Sequence, residues 1–135
     1  QSLKGLIVLH RDGVPIGDFL TEELQRKDPA LIGGAITGTM NIIKEVTGKD
    51  LHTIGVEGGY IHIRRSDNYW LILFFAENPR WIKKTVNGTV DYIDENYGQY
   101  IKNFDGKLED LPLKDIVSDK FGQKSLLIKE NKYDD

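Results

Sequence analysis

His10-Arg11-Asp12 sets an imidazole, a guanidinium and a carboxylate side by side. The same three letters open the catalytic loop of protein kinases, where the aspartate serves as base. Here they end an apolar run and lead into Asp12-Gly13, a tight-turn pair. The downstream asparagine, the glycine-rich loop and D-F-G are missing, which argues against phosphoryl transfer. His52 and His62 are the other histidines. An acid–base or metal site needs such groups to converge with carboxylates. His52 and His62 fall on neighbouring predicted strands, either as a pair across a hairpin or as solvated or core-edge rings. With no cysteine in the chain, disulfides, zinc–thiolate sites and a cysteine nucleophile are excluded. No catalytic constellation, metal site or cofactor site is expected.

A different chemistry is suggested by LIGGAITGTMNIIKEVTG, from Leu31 to Gly48. Its apolar rhythm is helical, yet it holds glycines at 33, 34 and 38, each costing about 1 kcal/mol relative to alanine in a helix interior. GGAITG is no phosphate loop, because it lacks G-x-x-x-x-G-K-[ST] and lies within a helical pattern. Its small residues leave a flat face. Gly33, Gly34, Thr37, Gly38 and Asn41 are therefore candidates for close approach of another backbone, an argument best established for small-xxx-small packing. The bland alternative is an internal contact or an ordinary solvent face. Trp81, beside Arg80 in a predicted first helical turn, is a further candidate, since tryptophan is enriched at interface hot spots. Asp12, Asp18, Glu22 and Glu23 cluster near the first turn, as an acidic patch or as a solvated edge.

The elements that must position these residues follow from periodicity and punctuation. Leu3 to Arg11 and Val14 to Leu20 flank Asp12-Gly13, which predicts a hairpin. Pro15 and Gly17 make its second strand short or an edge. Asp28-Pro29 is an N-cap and first-turn proline, so a helix is expected from 29 to 47, closed by Gly48. At 100° per residue, Leu31, Ile32, Ala35, Ile36, Met40, Ile42, Ile43 and Val46 share half its circumference and are expected to face the core. Residues 51–57, 59–66 and 69–77 read as three strands, with turns at Glu57-Gly58-Gly59 and Ser66-Asp67-Asn68. The third is apolar almost throughout, so a central position is expected. Asn78-Pro79 opens a helix whose apolar residues, Ile82, Val86, Val90, Ile93, Tyr97, Ile101 and Phe104, recur every three or four. It is expected to stop at Asp105-Gly106. Residues 111–122 read as a short third helix, and residues 123–135 as a mobile tail or a peripheral strand.

Composition bounds the class. The 135 residues suit one domain of residues 1–122 with a sizeable core. Hydrophobic residues make up 39% and charged residues 29%, a globular balance, and the net charge of −3 argues against nucleic acid or an anionic membrane surface as partner. Arg64, Arg65, Lys83 and Lys84 are too few for a nucleic-acid footprint. No apolar run reaches the 18 or so residues of a membrane span, and no signal peptide is visible. Asn87-Gly88-Thr89 spells a glycosylation sequon but lies in a predicted helix. Because the chain begins with Gln1 rather than methionine, it is expected to be either a trimmed chain or a piece of something longer.

The fold class expected is α/β of the α+β type, a five-stranded antiparallel sheet flanked by helices in the order β-β-α-β-β-β-α-α. The hairpin with Asp12-Gly13 at its tip and Ile16 three residues later, the small-residue helix, the meander and the long amphipathic helix together resemble the roadblock and longin superfamily over Leu3 to Phe104. No helix is expected before the first strand, unlike the usual roadblock arrangement, and the short helix after the long one is closer to longin domains. The resemblance implies a non-enzymatic, cytoplasmic scaffold. Such a module dimerises with itself or a related subunit through the first helix or an edge strand, and engages a small GTPase or a trafficking complex. A second reading is a small-molecule sensor of profilin- or PAS-like architecture, with an apolar pocket near Trp70 and Tyr60.

Overall fold

The computed structural model describes residues 3–22, 24, 28–77, 80–105 and 111–121. Strand β1 (Leu3–His10) turns back at Asp12-Gly13 into β2 (Pro15–Leu20). Gly13 takes φ +89°, in the left-handed region that favours glycine. The turn is closed by the His10 amide donating to the Val14 carbonyl and the Gly13 amide donating to the His10 carbonyl, both at 2.8 Å. Helix α1 spans Pro29–Thr47. Its first turn is capped by the Asp28 carboxylate, which accepts from the Ala30 amide at 2.9 Å. Gly48, at φ 72°, ends it by donating to the Lys44 carbonyl. The meander follows as β3 (Thr53–Val56), β4 (Gly59–Arg65) and β5 (Tyr69–Phe75). Helix α2 (Ile82–Lys102) and helix α3 (Leu113–Phe121) complete the order. The long helix ends at Lys102, three residues before the Asp105 expected from the sequence. Asn78-Pro79, the Gly122 stop and the tail 123–135 lie outside the described residues.

The sheet is antiparallel in the order β2-β1-β5-β4-β3. Long-range pairing sets β5 between β1 and β4, with Val8 opposite Leu71 and Ile63 opposite Ile72. Strands β1 and β5 are therefore covered on both faces, which is why both read as nearly unbroken apolar runs. Their side chains alternate between two cores. Leu6, Val8, Leu71, Leu73 and Phe75 point to the α2 side, where Val86, Val90, Ile93, Ile101 and the α3 residues Ile116 and Val117 cover them. Ile7, Leu9, Ile72 and Ile63 point to the α1 side and meet Ile36 and Met40. The two edges differ. Strand β2 has α3 against it, whereas no strand lies beyond β3 among the described residues.

Helix α1 is rotated from the expected orientation. Its buried residues are Gly33, Ile36 and Met40. Leu31, Ile42 and Val46, expected in the core, are 73%, 63% and 76% exposed. The cause lies at Gly33, where a Cβ would stand 2.8 Å from Leu9 Cδ2 and 3.0 Å from the Gly13 carbonyl oxygen. Without that Cβ, the helix backbone lies directly on β1 and the hairpin tip. The contact turns the Gly33–Ile36–Met40 edge inward and the bulkier stripe outward. Beyond the helix, Asp50 holds its exit in place, with Lys44 Nζ at 3.3 Å and Arg65 Nη2 at 3.9 Å. Arg65 also donates to the Leu51 carbonyl at 3.1 Å.

Candidate functional site

The five α1 candidates divide between two faces. Gly33 and Thr37 face inward. A Cβ at Gly13 would be 3.0 Å from the Thr37 hydroxyl oxygen, so the absence of a side chain at Gly13 admits Thr37 against the hairpin tip. That hydroxyl is buried and has no hydrogen-bond partner among the described residues. Gly34 and Gly38 face outward, and a Cβ added at either would meet nothing within 4 Å. Asn41 is exposed. The flat-face reading is thus reduced to Gly34, Gly38 and Asn41, while Gly33 and Thr37 make an internal close approach.

An exposed apolar stripe stands next to these glycines. Leu31, Ala35, Gly38 and Ile42 are spaced four, three and four residues apart, and Val46 follows. At about 100° per residue they run along one side of α1, roughly opposite the Gly33–Ile36–Met40 edge. This 4-3-4 rhythm is the one by which a helix presents a seam to another helix. The stripe spans about 22 Å at 1.5 Å per residue. It is bulky at both ends and small in the middle, around Gly38. Three of the six large hydrophobic side chains most exposed among the described residues lie on it. The signal was present in the sequence as an apolar arc too wide for one contact. Bulk alone places the centre of that arc in the core.

Trp81 packs within the chain. Its ring meets Phe75 and Phe121 edge-on, with centroids 6.0 Å apart in both pairs, and so joins α3 to β5. Trp70 is half-buried beside the α1-side core, and Tyr60 is 37% exposed. Neither lines the cavities described below.

Of the three histidines, His52 and His62 come together across the β3–β4 hairpin and line one cavity, and His10 stands apart. His10 closes β1 opposite Tyr69, whereas His62 lies on β4 opposite Leu73, roughly 13 Å further along β5 at 3.3 Å per residue. His10 Nδ1 lies 3.3 Å from the Asp12 carboxylate at the hairpin tip, so the H-R-D triplet is a turn. Among the described residues no three histidine, aspartate or glutamate side chains gather as metal ligands. Of the acidic patch, Asp12, Asp18 and Glu22 are exposed, and Glu23 lies outside the described residues. Partial burial pushes the Asp18 carboxyl above its ordinary value. Thr89, the last residue of the sequon, is fully buried and donates to the Thr85 carbonyl.

Two cavities lie between the sheet and α2. One, of about 500 Å³, lies between the β4–β5 turn and the second half of α2. On its wall the Ser66 hydroxyl approaches both Asp94 carboxylate oxygens, at 2.9 and 3.0 Å. Nearby, burial and then the Asp94 charge drive the Tyr69 phenol far above its ordinary pKa. The other cavity, of about 430 Å³, lies between β3–β4 and the first turns of α2.

No protein-family model matches the chain, and no curated protein matches it. Among the described residues no helix is long and apolar enough to cross a membrane.

Proposed function

We propose that the chain is a non-enzymatic interaction module of longin or roadblock type. It pairs with a second copy of itself through the outer face of α1, and the pair engages a small GTPase or a trafficking complex in the cytoplasm. The observation that carries the pairing is the exposed seam of Leu31, Ala35, Ile42 and Val46, with Gly34 and Gly38 open beside and within it. A two-fold interface must be self-complementary. The seam meets that condition, because it is nearly symmetric about Gly38. Two antiparallel copies crossing at Gly38 bring Leu31 of one over Val46 of the other. The small residues at the crossing let the backbones approach, and the bulky ends close over them. The GTPase and trafficking part of the proposal rests on the order of elements and their resemblance to that superfamily.

The test is the double substitution Gly34→Leu with Gly38→Leu. Both positions are open in the single chain, and leucine has the better helix propensity, so folding is expected to be retained or improved. At the crossing, the added side chains hold the helices apart. Light scattering is expected to report a dimer for the parent chain and a monomer for the variant. An unchanged dimer in the variant would refute the seam.

A further inference from the structure

The 430 Å³ cavity lies on the face of the sheet opposite α1 and has a composition of its own. Ile82 and Val86 of α2 supply apolar lining, and Thr53 and Asn87 add polar groups. Charge comes from Arg64 and Lys83, with the imidazoles of His52 and His62 beside them. No carboxylate is among the described lining residues. Two fixed positive charges and two protonatable rings therefore line a concavity with no negative charge on its described wall. A concavity lined by one sign of charge raises the local concentration of an oppositely charged ligand.

Arg64 and His62 are also held in place. Arg64 Nε donates to the Asn87 side-chain oxygen at 3.1 Å, and Arg64 Nη1 donates to the Arg65 carbonyl at 2.6 Å. Two contacts thus fix the guanidinium, one to α2 and one to its own strand. His62 Nδ1 lies 3.2 Å from the Thr53 hydroxyl, and its ring stands edge-on to Phe75 with centroids 5.7 Å apart. Strand pairing of Thr53 with His62 sets that geometry. A pre-positioned guanidinium and a mobile ammonium are the donors that carboxylate and phosphate oxygens accept from. The volume lies in the range of small-ligand sites.

We propose that this cavity binds a small organic anion, with a phosphate or carboxylate group held by Arg64 and Lys83 and an apolar body laid on Ile82 and Val86. This goes beyond the pairing of α1 and is independent of it, since the two surfaces are on opposite faces of the sheet.

The experiment is a backbone-amide NMR titration of the whole chain with phenyl phosphate, benzoate and the neutral phenol as separate probes. Saturable shifts at Thr53, His62, Lys83 and Val86 are expected with the anions, and binding at least tenfold weaker is expected with phenol. The two anions distinguish a phosphate preference from a carboxylate one. Arg64 and Lys83 are exposed, so Arg64→Gln and Lys83→Gln are expected to keep the parent spectrum while each weakens anion binding about tenfold. Absence of a saturable shift with either anion would overturn the proposal. So would equal binding of phenol, or variants that bind as the parent does. The α1 double substitution is expected to leave this titration unchanged, which separates failure of the cavity from failure of the seam.

Discussion

Replacing Ile42 by alanine separates the two ways of reading α1. Ile42 is 63% exposed in the single chain, so it adds little to folding and is free to add to association. Truncation removes three carbons, each worth about 0.8 kcal/mol on burial. Scaled to an exposure of 63%, this is about 1.5 kcal/mol per copy, or about 3 kcal/mol in a two-fold pair that uses the residue twice. The dimer dissociation constant is therefore expected to rise about 100-fold. An exposed substitution of this kind moves folding stability by no more than about 0.5 kcal/mol. Sedimentation equilibrium measures the first quantity, and a denaturant midpoint taken where the chain is monomeric measures the second. Ile36→Ala is the control. Ile36 is 6% exposed and packs against the sheet, so its loss is expected to cost about 2–5 kcal/mol of folding stability. If Ile42→Ala unfolds the chain as readily as Ile36→Ala and leaves the association constant unchanged, the outward stripe is a core face and the reasoning fails.

Two further outcomes follow from local geometry. Gly34→Ala and Gly38→Ala meet open space and are each expected to raise folding stability by about 0.5–1 kcal/mol, whereas Gly33→Ala drives a Cβ to 2.8 Å from Leu9 and is expected to lower it by about 1–3 kcal/mol. Thermal melts of the three variants rank them, and a stabilised Gly33→Ala would contradict the account of the helix rotation. The Tyr69 phenol is raised by burial first and by Asp94 second, so the folded chain keeps a proton that the unfolded chain releases near pH 10. The folded state then binds more protons above that pH, and stability is expected to fall as pH rises through and beyond it. Urea midpoints across pH 8 to 11 are expected to fall less steeply in Tyr69→Phe than in the parent; identical slopes would show that this phenol is not what titrates.

Residues whose conformational demand is local declared the fold directly. Asp28-Pro29 and Gly48 bounded α1 to the residue, because a cap and a left-handed stop depend on their own backbone. Asp12-Gly13 marked the hairpin for the same reason, and the unbroken run 69–75 marked a strand covered on both faces. The rotation of α1 was not legible. Hydrophobic periodicity places the bulkiest arc inward, and only a contact across the fold, between Gly33 and the β1–β2 tip, decides otherwise. The 430 Å³ cavity was hidden likewise. Arg64 and Lys83 looked like scattered surface charge until β4 and α2 brought them to one concavity. Trp81 could be read as an interface residue because its ring partners, Phe75 and Phe121, are distant in sequence.

The central claim is that the outward face of α1 joins two copies, and the solution mass of the purified chain tests it most directly. Sedimentation equilibrium from low micromolar to submillimolar chain is expected to show the mass rising from 15.4 kDa toward twice that value. A mass that stays at 15.4 kDa across the whole series would contradict the claim.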